Sequence, residues 1–335
     1  QAAARLRRLA AGLSGVELAQ HPVLASLIPV CLLVGAGWLA GRMRWVGPEA
    51  VRGLSNLVFM LLIPALLFRT MSAVRFEQLD PRPVLAYFPV ALAWLLAQIG
   101  WRGFTPRSVV LALGGTFSNN VMIGLILVEL AYGKPGLVTL LTLVSVHSLI
   151  ILTAASVLIE LAQARQASRD SAQAPRLLKT VWSAMRASLL HPIPLPIAAG
   201  LLFAQTGWSL SPLVDQPLRL LGNAFGPLSL VLVGISLALT PLAGHWRAAL
   251  PVAACKNLAL PLLVALSGWA LGLGGLAWQV IVLAAALPTG ANVFLFAQRY
   301  RVEQELTTAV VGLSTALGLL TLSAVMLLTA ALAGS

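Results

Sequence analysis

The chain has 335 residues, 59% of them hydrophobic and 10% charged, with a formal net charge of +12. A soluble domain carries about 25% charged residues, so a single water-soluble core cannot hide this much apolar surface and lipid must be part of the solvent. The basic residues sit in short clusters between apolar stretches, a pattern of orientation signals that excludes a nucleic-acid-binding face.

In chain order, residues 1–20 come first. They are basic, lack an apolar core of signal-peptide length, and are expected to form an N-terminal extension that frays or lies at the bilayer surface. A helix needs about 20 apolar residues to cross the hydrocarbon core. On that measure ten spans are expected, at residues 23–41, 52–72, 83–101, 108–131, 137–160, 189–208, 218–240, 246–271, 276–298 and 304–332. The polar stretch 161–188 divides them five and five. This predicts a first five-helix repeat at 21–162, a cytoplasmic linker at 163–188 and a second five-helix repeat at 189–335. With the N-terminus outside, thirteen of the 22 Lys and Arg fall in inside loops and eight in outside segments. Both termini are therefore expected outside a bacterial inner membrane.

The halves resemble each other. HPVLASLIPVCLLVGAGW (21–38) sets beside HPIPLPIAAGLLFAQTGW (191–208), and VLALGGTFSNNV (110–121) beside VLAAALPTGANV (282–293), in the same order and at a near-constant offset. Five spans per copy bring the second copy in from the opposite face. The repeats are therefore expected to be inverted, an architecture of secondary transporters. The fold class predicted is an all-α polytopic membrane protein of two inverted repeats, with crossed, broken helices at spans 4 and 9.

The breaks are Gly114-Gly115-Thr116-Phe117-Ser118-Asn119-Asn120 in span 4 and Pro288-Thr289-Gly290-Ala291-Asn292 in span 9. Gly costs about 1 kcal/mol and Pro about 3 kcal/mol relative to Ala inside a helix. Lipid cannot satisfy backbone groups freed at membrane depth, so such breaks must face protein or a wet cavity. Asn is a good N-cap. Asn120 and Asn292 are each expected to open a second half-helix whose positive end holds an anion such as a carboxylate. Thr116, Ser118, Asn119 and Thr289, with Pro288 and Gly290, complete the candidate substrate site. The competing reading is that small residues there only let helices pack closely.

Lys256 lies ten residues after Trp246, about 15 Å along its helix and near the bilayer centre. A mid-membrane Lys costs about 2.5–3.5 kcal/mol. It either balances an anionic substrate, replaces a bound cation by pinning carbonyls at the crossing, or makes an interhelical structural hydrogen bond. His147, midway along span 5, is a candidate proton relay or a buried neutral histidine. Glu129, near the end of span 4, is a second relay candidate that can also reach the interface. Asn56 and Asn223 either line the cavity or bond between helices. Cys31 and Cys255 show no CxxC or Cys/His spacing, so no metal, no cofactor and no disulfide framework is expected, only two packed thiols. HExxH and the P-loop are absent, and Gly312-Leu313-Ser314-Thr315 has no His/Asp partner, so no enzyme is expected. A ligand sensor with a transporter fold stays open as a second class.

GRMRWVGPEAVRGLSNLVFMLLIPALLF (41–68), GGTFSNNVMIGL (114–125) and LPTGANVFLFAQRY (287–300) resemble the auxin efflux carrier family in its bacterial branch. The resemblance implies a scaffold of spans 1, 2, 6 and 7, a homodimer contact through spans 1, 2 and 7, and a mobile transport region of spans 3–5 and 8–10. It implies elevator-type transport, in the direction of efflux, of a small organic anion: an auxin-like acid or a dicarboxylate such as malate or malonate. Sodium independence is implied as well. The first break lacks the proline that plant members carry, and their long central loop is missing. A more distant similarity is to sodium-coupled bile-acid symporters, but neither crossing has an acidic residue to hold sodium.

Overall fold

The computed structural model describes residues 22–167, 193–240 and 244–333, with Trp182 and Arg186 between the first two stretches. The expected extension at 1–20 and most of the expected linker at 163–188 lie outside the described residues. Helices make up the architecture, with no strand among the described residues and one isolated antiparallel bridge, Ser118 with Thr289.

Among the described residues seven helices are long and apolar enough to cross a membrane: Ala25–Arg42, Pro48–Met71, Arg82–Arg102, Asn120–Gln166, Pro212–Leu239, Trp246–Ala270 and Gln304–Leu332. The chain is an all-α polytopic membrane protein. The count differs from the ten expected spans for local reasons. Expected spans 4 and 5 share one helical run, kinked where Gly133 takes φ 61° and ψ −160°. The described part of span 6 is a helix of only 12 residues, and span 9 is cut into helices of 12 and 9. Trp45, Trp101, Trp208, Trp246 and Trp269 are exposed at helix ends, where an amphipathic ring suits a bilayer interface. Cys31 is exposed rather than packed, and Cys255 is half-buried.

The helices are α1 Pro22–Arg42, α2 Pro48–Leu57, α3 Ile63–Met71, α4 Arg82–Arg102, α5 Pro106–Gly114, α6 Leu125–Ala167, α7 Pro194–Gln205, α8 Pro212–Leu239, α9 Trp246–Ala254, α10 Leu260–Ala270, α11 Gly275–Ala286, α12 Asn292–Tyr300 and α13 Gln304–Ala333. Three π-helical turns interrupt them, at Val58–Leu62, Asn120–Gly124 and Cys255–Ala259. Two of these precede a proline, Pro64 and Pro261, which has no N–H to donate and so leaves the ladder free to widen.

Packing divides the helices into two bundles. Helices α1, α3, α7 and α8 pack on one another. Their closest approach is backbone to backbone: a Cβ on Gly37 would overlap the Val231 carbonyl, and one on Gly234 the Val34 carbonyl. Small residues serve this purpose where no hydrophobic effect draws helices together. The second bundle joins α4, α5, α9–α11 and α13, and α6 lies between the two, packed against α4, α5 and α11 on one side and α1 and α7 on the other. The Arg69 guanidinium in α3 grips the Asp215 carboxylate in α8 through two hydrogen bonds of 2.6 and 3.1 Å, clamping one end of the first bundle.

Candidate functional site

The first break begins where α5 ends. Thr105 and Ser108 form a reciprocal capping box and Pro106 takes the first turn, so α5 starts sharply. It runs only nine residues, to Gly114. The carbonyls at its far end would be costly if left bare in a dry interior, and the structure accounts for them. Leu111 and Leu113 accept from the amides of Gly115 and Phe117. Ala112 accepts from Gln98 Nε2 at 3.4 Å, Gly114 from the Thr289 hydroxyl at 2.8 Å, and Gly115 from Trp94 Nε1 at 3.2 Å. Gln98, itself fully buried, also donates to Thr116 Oγ1 at 3.1 Å and accepts from Arg102 at 3.2 Å.

The second break begins where α11 ends at Ala286. Its free carbonyls meet Lys256. The Lys256 Nζ donates to Ala285 O at 2.6 Å and to Leu287 O at 2.5 Å, and the residue is fully buried. The π turn at Cys255–Ala259 explains how it gets there. The widened turn lets the adjacent residues Lys256 and Asn257 both face inward, at 0% and 1% exposure. Asn257 Nδ2 donates to Ser314 O at 2.8 Å, and Ser314 Oγ accepts from the Thr289 amide at 3.0 Å.

The breaks cross. Asn119 N–H donates to Pro288 O at 2.8 Å and Gly290 N–H to Phe117 O at 3.0 Å, a two-rung antiparallel bridge. Beside it lies a cavity of about 30 Å³ lined by Phe117 through Met122, Gly290 through Asn292, Val144, His147 and Ser148, together with Phe59 and Ile193. That space holds about two waters. The first amides of a helix lack an intrahelical acceptor, and here two helices start at this cavity, at Asn120 and Asn292. Asn120 is 2% exposed, and neither its Oδ1 nor its Nδ2 makes a hydrogen bond of good geometry, although the Tyr87 hydroxyl lies close to it; His147 Nε2 has no hydrogen bond either. The His147 ring lies 4.5 Å from the Phe117 ring and edge-on to Tyr87. The Tyr87 hydroxyl is 3.1 Å from Ser118 Oγ.

The candidates therefore separate. Ser118, Asn119, Asn120, Gly290, Asn292 and His147 share the cavity. Thr116, Thr289 and Lys256 are fully buried behind it, with polar atoms bonded to protein. Pro288 gives its carbonyl to the bridge. The capping expectation is corrected by one residue. Asn119 is the cap, its Oδ1 accepting from the Met122 amide at 3.3 Å, and the residue before α12 is Ala291. Asn120 and Asn292 stand one position further in, which leaves their amides for other partners. Glu129 does not reach the crossing. It is exposed and lines a second cavity of about 220 Å³ with Asn223, between α6, α3 and α8. Asn56 is exposed as well. Among the described residues no cluster of His, Cys, Asp or Glu has the form of a metal site. The residues missed by sequence reasoning are Gln98, Trp94, Tyr87, Asn257 and Ser314. Gln98 and Asn257, amides within apolar spans, carried a signal.

The chain matches the family described as Membrane transport protein over residues 22–326. It belongs to that family, the auxin efflux carrier family. It is 26% identical over 312 residues to a protein of Rhizobium meliloti (strain 1021) named "Putative malonate transporter", covering 90% of this chain and 94% of that one. It is 22% identical over 348 residues to Auxin efflux carrier component 8 of Arabidopsis thaliana, covering 89% of this chain and 95% of the other. Membership makes the chain a multi-pass protein of a membrane transporter family, not of an enzyme family.

Proposed function

We propose that the chain is a secondary carrier of a small organic anion, held at the cavity between the two crossed breaks. The observation that carries this reading is the meeting of two helix starts at one cavity, with a buried Asn120 amide left without a hydrogen bond of good geometry there. Helix N-termini and free amides at membrane depth suit a carboxylate. In this reading Asn120 and Asn292 bind the anion, Asn119 shapes the first helix start, and His147 bounds the site. Thr116, Pro288, Thr289 and Lys256 hold the crossing rigid from behind.

The finer architecture is part of the proposal. Splitting the long run at Gly133, and counting each broken pair and the short α7 as crossings, returns ten spans in two inverted sets of five. The bridge and the Thr289–Gly114 bond unite the two breaks, which favours their moving as one body. Phe59 and Ile193 come from the first bundle while the rest of the lining belongs with the second, so sliding of one bundle past the other would open the cavity. That is an elevator in which α1, α3, α7 and α8 belong to the fixed scaffold. We further propose a homodimer through that scaffold, a bacterial inner-membrane location with both termini outside, and efflux as the physiological direction. The relatives' names make malonate and auxin the first substrates to test.

The test is flux in proteoliposomes loaded with labelled malonate, malate or indole-3-acetate, with and without pH, sodium and voltage gradients. Saturable transport of one acid, lost in Asn120→Ala and Asn292→Ala variants that still fold, is the expected result. Binding of an acid with no flux under any gradient would replace the carrier by a sensor.

A further inference from the structure

The crossing has four helix ends, and the two that end there differ from the two that start. In transporters built from broken helices, N-terminal ends face anionic groups, whereas C-terminal ends and unwound carbonyls coordinate the coupling cation. In this chain the C-terminal carbonyls are already occupied. At α5 the donors are Gln98, Thr289 and Trp94. At α11 the donor is one buried ammonium, contacting Ala285 O and Leu287 O. The neighbouring Asn257 is buried too, but its Oδ1 accepts from neither the ammonium nor any other donor. Oxygen atoms gathered around a buried positive group are the ligand set of a small alkali cation rather than of a transition metal.

We infer that Lys256 stands in a monovalent-cation site, as a cation tethered to the protein. The site consists of the Ala285 and Leu287 carbonyls, which the ammonium holds together. Removing the ammonium leaves a position that a free sodium or lithium ion fills. The inference builds on the carrier reading in one respect: the tethered cation would free transport from any need for sodium. The site itself does not depend on flux.

The experiment is therefore done on detergent-purified full-length protein by thermal unfolding, in sodium, lithium, potassium or choline chloride at equal ionic strength. Lys256→Ala leaves room for an ion, whereas Lys256→Met fills the same volume without a donor. The expected result is a rise in Tm of roughly 2–4 °C in sodium or lithium over choline for Lys256→Ala, from binding to the folded state alone. Wild type and Lys256→Met stay unmoved by the choice of cation. A Lys256→Ala protein whose Tm is the same in all four salts overturns the site, as does an equal sodium shift in wild type. If Lys256→Ala does not purify as a monodisperse protein, Lys256→Ser takes its place, and failure of both in sodium counts against the site too. Flux of an acid by wild type with no cation effect in the variants keeps the carrier and discards the tethered cation. A cation effect without flux does the reverse.

Discussion

Replacing Thr289 by Val removes one hydroxyl at nearly constant volume. Thr289 is fully buried and its hydroxyl donates to Gly114 O at 2.8 Å, from one break to the other. The variant leaves the Gly114 carbonyl bare at the buried end of α5. An unsatisfied buried acceptor costs about 1–3 kcal/mol. At about 2–4 °C per kcal/mol, Tm should fall by roughly 2–12 °C. The readout is thermal unfolding of purified protein, with acid binding measured in parallel. Because the hydroxyl turns away from the cavity, the apparent affinity for an acid should change by less than about twofold, well within 0.5 kcal/mol. Ser314→Ala, which removes the acceptor of the Thr289 amide, should show non-additive coupling with Thr289→Val of about 0.5–3 kcal/mol, as expected for neighbours in one network. Unchanged Tm with tenfold weaker binding would refute the reasoning, because it would place the hydroxyl on the substrate.

Asn120→Leu should behave in the opposite way. Its two polar atoms make no hydrogen bond of good geometry, so an apolar side chain of similar size should leave Tm level or raise it, while transport falls by about 10- to 100-fold, the worth of a hydrogen bond to a charged group. Thermal unfolding and flux on the same preparation check this, and a large drop in Tm would mark Asn120 as structural. Gly234→Val should cost about 1–3 kcal/mol or prevent folding, since the Val34 carbonyl occupies the space, and fluorescence-detected size exclusion reads the outcome. Glu129→Gln should leave transport and its pH profile within about twofold of wild type, because the carboxylate lines the second cavity and not the crossing. A shifted pH profile would restore it as a proton carrier. Arg69→Ala should lower stability by no more than about 1 kcal/mol, since both partners of its ion pair are about one-third exposed, and denaturation at low and high salt would show the difference.

What could be read in the sequence follows from what lipid forbids. Apolar length is strongly constrained in a bilayer, so the class was plain from composition and the helix positions from hydropathy. Breakers at membrane depth are equally constrained, so both crossings were visible in Gly114-Gly115 and Pro288. The seven-helix count departs from the ten expected spans at three places: the broken α11–α12 pair, the short α7 and the run kinked at Gly133. Individual roles were harder to read. The direction of the Thr116 and Thr289 hydroxyls depends on the crossing angle of two chains. The inward turn of both Lys256 and Asn257 depends on a π turn that the 3.6-residue period does not express. Ser314 looked like a packing serine because its partner, Thr289, lies 25 residues away.

The polarity of the crossing orders these observations. Each break makes one negative and one positive helix end. The negative ends are matched by the protein's own donors: an ammonium at α11, and an amide, a hydroxyl and an indole at α5. The positive ends are not matched by any acidic side chain in the cavity lining, whose polar members are serine, asparagine and histidine. A crossing that also supplied a carboxylate to its helix starts would be complete by itself and would bind nothing. This one is complete on one side only. In the proposed reading the remaining demand is for negative charge, close to peptide amides and to the Asn120 side chain, in a space that a withdrawal of Phe59 and Ile193 would enlarge. Selectivity for an anion and the need for motion thus have the same origin, in which helix ends the chain satisfies and which it leaves open.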